Sequence, residues 1–238
     1  MFMCYTQYPQ IAQLAGGLVV SCQAWPDTPL YGPVFQRAMA LSALQAGAKG
    51  IRANGGPDIR AIKEAVPLVL IGINKSPNKH GVTVITPTLA AAREVVEAGA
   101  DIVAVDCTLQ AWPDDAELAE HLAAINEELR VPVMADVATV AEGERAIRLG
   151  AAFVATTMSG YTRDTEHRKA SGEPDFELIV ALKKALGDIP VLAEGRFWLP
   201  EQAARALALG AHCVCVGTAI TAPWAIARRF VEAMAERR

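Results

Sequence analysis

The sequence predicts an α/β chain folded as a single (β/α)8 TIM barrel, and three observations carry that reading. Strand-sized apolar segments recur in a regular rhythm along the chain. Helix-sized stretches separate each from the next. Eight such units fill 238 residues, close to the smallest size at which a closed parallel barrel forms. The span 1–238 reads as one domain, with 1–16 as an N-terminal extension capping the barrel.

The first strand is GLVVSCQ, and two alternating signals mark the seven after it. Four follow a Gly-Ala pair: KGIRAN after Gly47-Ala48, DIVAVD after Gly99-Ala100, AFVATT after Gly150-Ala151, and HCVCVG after Gly210-Ala211. Each Gly closes a stretch of helical apolar spacing, the place where a left-handed residue ends a helix. Three strands open on proline: LVLIGINK after Pro67, VMADVA after Pro132, and VLAEGR after Pro190. Proline lacks an N–H and suits the first position of a strand. The intervening helices are predicted over 34–46, 58–66, 88–98, 116–129, 139–149, 175–186, 200–209 and 222–235. An open Rossmann or flavodoxin-like sheet is the competing architecture, but it does not account for so regular a two-unit repeat.

Composition narrows the function classes. Hydrophobic residues make up 52% of the chain, enough for a barrel interior and a strand-to-helix layer, and no apolar run is long enough to span a membrane. MFMCYTQYPQ has no basic leader region, so a cytoplasmic location is expected rather than secretion. A net charge of −4 without any Lys/Arg run argues against nucleic acid as the main partner. The five cysteines and four histidines have no metal-site spacing. Cys22, Cys107, Cys213 and Cys215 fall in predicted strands, Cys213 and Cys215 on one face. The one long insertion, YTRDTEHRKASGEPD, reads as a mobile loop over the barrel mouth.

Active sites of such barrels lie at the C-terminal strand ends. Those ends carry Gln23, Arg52, Lys75 (closing strand three), Asp106, Asp136, Thr156 with Thr157, Glu194 with Arg196, and Gly217 with Thr218. Charges gathered at the mouth of an apolar barrel cost solvation unless they pair. The ring therefore either binds a polar ligand or neutralises itself.

The strings LVVSCQAW, GIRAN, IGINK, ITPT, VMADVAT, TTMSGYT, AEGR and VGTAIT, in this order over nearly the whole chain, resemble the N-acetylmannosamine-6-phosphate 2-epimerase family of ribulose-phosphate-binding-type barrels. The resemblance implies an isomerase of amino-sugar and sialic acid breakdown. It would convert N-acetylmannosamine 6-phosphate to N-acetylglucosamine 6-phosphate without metal or nucleotide cofactor. Inverting C2 requires loss of a proton that is acidic only beside an open-chain C1 carbonyl, so the site needs bases and a means of stabilising an enediolate-type anion.

Lys75 and Glu194 match the family's catalytic lysine and glutamate. A lysine serves as a base only if burial or a neighbouring cation such as Arg52 lowers its pKa; otherwise Lys75 is a surface lysine. Glu194 facing it could serve the opposite face of C2, or could instead pair with Arg196, two residues along the same strand face. Arg52 and Asp136 match substrate-orienting positions, with a buried ion pair as the alternative. Gln23, Tyr161 and Arg196 are further substrate-binding candidates, and Gly195, Gly217 and Thr218 suit a phosphate over the last two strands. Asp106 reads as structural.

Two departures from the family stand out. Ala222 and the Leu109–Pro113 stretch, with Trp112, replace basic residues, which Arg163, Arg168 or Lys169 could compensate. The alternatives are a related sugar-phosphate or sugar-acid epimerase, or a sugar-phosphate-binding protein without turnover. Trp198, Leu199, Trp224 and Phe230 could line a homodimer contact or pack on the barrel wall.

Overall fold

A computed structural model describes residues 8–235. Eight parallel strands close into a barrel: β1 (Leu18–Cys22), β2 (Gly50–Asn54), β3 (Val69–Ile73), β6 (Ile102–Asp106), β7 (Val133–Asp136), β8 (Phe153–Ala155), β9 (Val191–Glu194) and β10 (Cys213–Val216). A short antiparallel ribbon, β4 (Lys75–Pro77) with β5 (Thr83–Ile85), stands outside that ring. The principal outer helices are α2 (Pro33–Gln45), α3 (Gly56–Lys63), α4 (Leu89–Glu97), α5 (Asp115–Ala124), α6 (Val140–Arg148), α7 (Phe176–Leu186), α8 (Pro200–Ala208) and α10 (Pro223–Ala235). They follow the predicted stretches to within a few residues.

The Gly-Ala signal has a hydrogen-bond explanation. Ala48, Ala100, Ala151 and Ala211 each donate N–H to the carbonyl five residues back, on Ala43, Val95, Ala146 and Ala206. The glycine between has positive φ, for example +86° at Gly47 and +117° at Gly150. This arrangement satisfies the last helical carbonyls and turns the chain into the next strand.

Strand parity sorts side chains into two apolar layers. Val19, Ile71, Ile73, Ile102, Ala104, Met134, Phe153, Leu192, Cys213 and Cys215 form one cluster, inside the barrel. Val20, Cys22, Ile51, Ala53, Leu70, Val103, Val105, Ala135 and Val154 pack with helix residues in the other. Arg52 lies between outward Ile51 and Ala53, and Asp136 follows outward Ala135, so both enter the barrel.

The barrel floor is closed by α1 (Pro9–Gln13), whose Ile11 joins Leu14 in the interior cluster, both fully buried. Gly16 N–H donates to His212 O (2.7 Å), and His212 Nε2 lies 2.8 Å from Ile11 O. Residues 1–7 of the expected 1–16 cap, with Cys4, lie outside the described residues. Cys22, Cys107, Cys213 and Cys215 are buried free thiols. No helix among the described residues is long and apolar enough to cross a membrane.

Three expectations need correction. Lys75 does not close β3, which ends at Ile73; it opens the ribbon, and Lys75 pairs with Ile85. The 161–175 insertion is consequently not the only excursion over the mouth. Residues 163–171 of that insertion form 3-10 helical turns. The predicted helix over 116–129 widens to a π-helical turn at Ile125–Leu129, after which Arg130 takes a left-handed conformation.

Candidate active site

A cavity of about 760 Å³ opens at the C-terminal strand ends. Gln23, Arg52, Lys75, Asp106, Thr157, Tyr161, Glu194, Gly195, Arg196, Gly217 and Thr218 all line it, as does Ala222. Of the predicted substrate and catalytic set, only Asp136 stays off the wall. It is fully buried behind Arg52.

Arg52 organises the site. Its Nη2 donates to Asp136 Oδ2 at 2.6 Å, while Nη1 donates to Thr157 Oγ1 at 3.0 Å and also to Glu194 Oε2. The Thr157 hydroxyl lies 2.6 Å from Asp136 Oδ1 and 2.9 Å from Glu194 Oε2. Burial works against the Arg52 charge, yet Asp136 and Glu194 hold its pKa above the ordinary arginine range. Burial also pushes the Asp136 carboxyl up, against the pull of Arg52. The alternative pairing of Glu194 with Arg196 does not form; Arg52 takes the Glu194 carboxylate instead.

Lys75 and Glu194 approach from opposite walls. In the barrel order β1-β10-β9-β8-β7-β6-β3-β2, Glu194 of β9 is diametrically across from β3, which delivers Lys75. Asn54 Oδ1 accepts the Lys75 backbone N–H at 2.9 Å, and Lys75 Nζ sits 5.0 Å from the centre of the Trp25 ring. Burial and then the nearby Arg52 cation lower the Lys75 pKa, opposed by Glu194 and Asp136. This is the direction a lysine base requires.

The other candidates have varied surroundings. Gln23 Nε2 donates to Ser21 Oγ at 2.8 Å, leaving its buried Oε1 without a protein partner among the described residues. Asp106 Oδ1 accepts from both the N–H and the hydroxyl of Thr108, at 3.0 and 2.7 Å, so one of its oxygens shapes a loop as expected although the residue also lines the cavity. Gly195 has φ +112°, and Gly217 precedes the short helix α9 (Thr218–Thr221).

Arg196 differs most from its expected contacts. Its Nε donates to Glu173 O at 2.7 Å and its Nη1 to Ser159 O, so the guanidinium clasps both ends of the 159–173 loop. Tyr161 of that loop is half exposed, with Lys169 Nζ 5.2 Å from its ring. Arg168 is held by Asp175 at 2.8 Å.

Trp112 stacks on His121 at 4.9 Å and is not a cavity residue. The Leu109–Pro113 departure therefore alters the outer layer, whereas Ala222 alters the site itself. Trp25 and the ribbon residues Thr83, Val84 and Ile85 were missed as site residues. The signal for Trp25 was an aromatic two residues beyond Gln23, which keeps the inward parity of Ser21. Among the described residues, no three His, Cys, Asp or Glu side chains form a metal-ligating group.

Fold and site together define a (β/α)8 barrel with a lysine and a glutamate brought into one cavity from opposite walls. A family model described as "Putative N-acetylmannosamine-6-phosphate epimerase" matches residues 36–236. A Caldanaerobacter subterraneus subsp. tengcongensis protein named "Putative N-acetylmannosamine-6-phosphate 2-epimerase" is 45% identical over 229 residues, covering 96% of this chain and 95% of its own. One of the same name from Cutibacterium acnes is 47% identical over 225 residues, covering 94% and 96%. The solved structure of the N-acetylmannosamine-6-phosphate 2-epimerase from Clostridium perfringens superposes with TM-score 0.85 at 37% identity, covering 94% of this chain and 95% of that one. The chain belongs to the N-acetylmannosamine-6-phosphate epimerase family.

Proposed function

We propose that this chain interconverts N-acetylmannosamine 6-phosphate and N-acetylglucosamine 6-phosphate by moving a proton at C2. The observation that carries the reading is the placement of Lys75 and Glu194 on opposite walls, with Arg52 bonded to Glu194. In the open-chain sugar, one of the pair takes the C2 proton, and the C–H electron pair moves toward the C1 carbonyl oxygen. The resulting enediolate-type anion receives a proton on its other face from the second group. One residue ends a proton richer and the other a proton poorer, so both must regain their starting states, by exchange with solvent or with each other, before the next turnover. Burial and Arg52 lower the Lys75 pKa, the direction that proton transfer by a lysine requires.

Arg52 is placed to stabilise the developing oxyanion, while Asp136 compensates its charge from behind. The unpaired Gln23 Oε1 suits the acetamido N–H. Gly195, Gly217 and Thr218 suit the phosphate, because the leading N–H groups of a helix lack internal partners. Tyr161 covers the sugar, and Arg196 contributes by holding its loop. No cofactor enters this chemistry. The chain is read as one cytoplasmic barrel domain, with the described part of the expected cap, residues 8–16, closing its floor. Exposed Trp224, Phe230, Val231 and Met234 on α10 favour a homodimer contact over packing on the barrel wall.

The deciding experiment is a proton NMR time course with N-acetylmannosamine 6-phosphate in D2O. The expected result is N-acetylglucosamine 6-phosphate carrying deuterium at C2, abolished in Lys75→Ala and Glu194→Ala proteins that remain folded. An unchanged substrate overturns the reading. Ala222 in the cavity wall favours one second reading, a related sugar phosphate or sugar acid with less negative charge, and turnover of such a substrate in place of the 6-phosphate would establish it.

A further inference from the structure

The threonine pair after β8 holds Glu194 at both ends. Thr156 Oγ1 accepts from Glu194 N–H at 2.9 Å and donates to Glu194 O at 2.8 Å, fixing the main chain where the β8–β9 ladder ends. Thr157 Oγ1 addresses the carboxylate. It accepts from Arg52 Nη1 at 3.0 Å and has Asp136 Oδ1 at 2.6 Å and Glu194 Oε2 at 2.9 Å as alternative acceptors.

A hydroxyl has one hydrogen and two lone pairs, so it donates to only one of these carboxylates at a time. We propose that Thr157 is a positioning residue whose single hydrogen follows the protonation state of Glu194. With Glu194 ionised, its carboxylate competes for that hydrogen. Once Glu194 has taken the substrate proton, it is the weaker acceptor, and the hydroxyl turns fully to Asp136, which remains the partner of Arg52. No proton passes through Thr157, and no charge moves. The hydroxyl reorients while Arg52 Nη1 keeps a donor on Glu194 Oε2 in both states, so the carboxylate holds its place as the base cycles.

This inference rests on the epimerase reading, and its test separates the two. The kcat and KM of the parent, Thr157→Val, Thr157→Cys and Thr157→Ser proteins are measured from pH 5 to 9 with N-acetylmannosamine 6-phosphate, after thermal unfolding has shown each to be folded. Valine keeps the volume and removes the hydrogen. The expected result is a kcat about 10- to 100-fold lower, the range for a hydrogen bond to a charged group. KM should change little, and the kcat profile should no longer match the parent's, because the Glu194 carboxylate has lost a possible donor. Cysteine, a weak donor, should fall between, and serine should restore the parent rate and profile. The Cys and Ser proteins decide the matter if the Val protein does not fold. Parent-like kcat and profile in Thr157→Val, or losses in Thr157→Ser as large as in Thr157→Cys, overturn the inference. A parent protein that neither epimerises nor exchanges C2 hydrogen overturns the reading beneath it.

Discussion

Arg52 Nη2 lies 2.6 Å from Asp136 Oδ2, with the two side chains 1% and 0% exposed inside a largely apolar barrel. A pair so placed is weak evidence of net stabilisation, because both ions have lost their water. Removing one partner is a different matter, since it leaves the other charge buried and poorly compensated. Asp136→Ala is expected to lower unfolding free energy by about 3 to 5 kcal/mol, read from urea denaturation midpoints. The apolar double variant Arg52→Met with Asp136→Leu should recover most of that loss and remain inactive. A stable, active Asp136→Ala protein would show that the pair has neither role.

Lys75 gives a pH-dependent signature. Its folded pKa is depressed below the ordinary 10.5, first by burial and then by Arg52. Between the lowered value and 10.5, the unfolded chain binds the proton and the folded chain does not, so stability rises with pH across that window. The penalty is full below the lowered value and absent above 10.5. Lys75→Met should therefore stabilise the protein at pH 7 more than at pH 10, as denaturant midpoints of both proteins will show. An equal or larger gain at pH 10 contradicts the burial argument.

Arg196 clasps the 159–173 loop through two backbone carbonyls, and Gln202 adds a 2.5 Å bond to the Glu173 carboxylate. Arg196→Ala should increase trypsin cleavage at Arg168 or Lys169 severalfold, followed by mass spectrometry, while global stability changes by only about 1 kcal/mol. Unchanged cleavage would mean that the loop holds itself.

Gly72 occupies an outward position on β3 where helices press close. A Cβ there would lie 2.6 Å from Ala100 Cβ and 3.1 Å from Val95 Cβ. Gly72→Ala should cost about 1 to 3 kcal/mol through overpacking, visible as a lower melting temperature. No change would indicate that α4 can shift outward without loss.

Much of the barrel was legible because its signals are local. Gly47, Gly99, Gly150 and Gly210 mark left-handed helix ends whose geometry only glycine adopts cheaply. Strand parity places Arg52, Asp136 and Glu194 inside. Pairing was not legible, because parity gives a face and not a partner: Arg196 shares a strand face with Glu194 but reaches loop carbonyls, and Arg52 crosses the barrel instead. The β4–β5 ribbon was hidden in a segment that reads as a strand running on to Lys75. Its turn depends on Asn78 Oδ1 accepting from His80 and Val82 N–H, and on Gly81 at φ +75°. Trp25 was missed because an exposed ring carries no periodic signal.

The seam between β1 and β10, with Leu18 opposite Val214, and the His212–Ile11 contact spanning 201 residues, impose an order of events on synthesis. Until β10 has left the ribosome, β1 has one neighbour missing and the floor helix has no His212 to dock against. The nascent chain must therefore carry an open sheet edge until β10 is made. Its βα units can form successively, but ring closure waits for β10. Truncations that remove β10 should yield aggregation-prone sheets in place of smaller barrels.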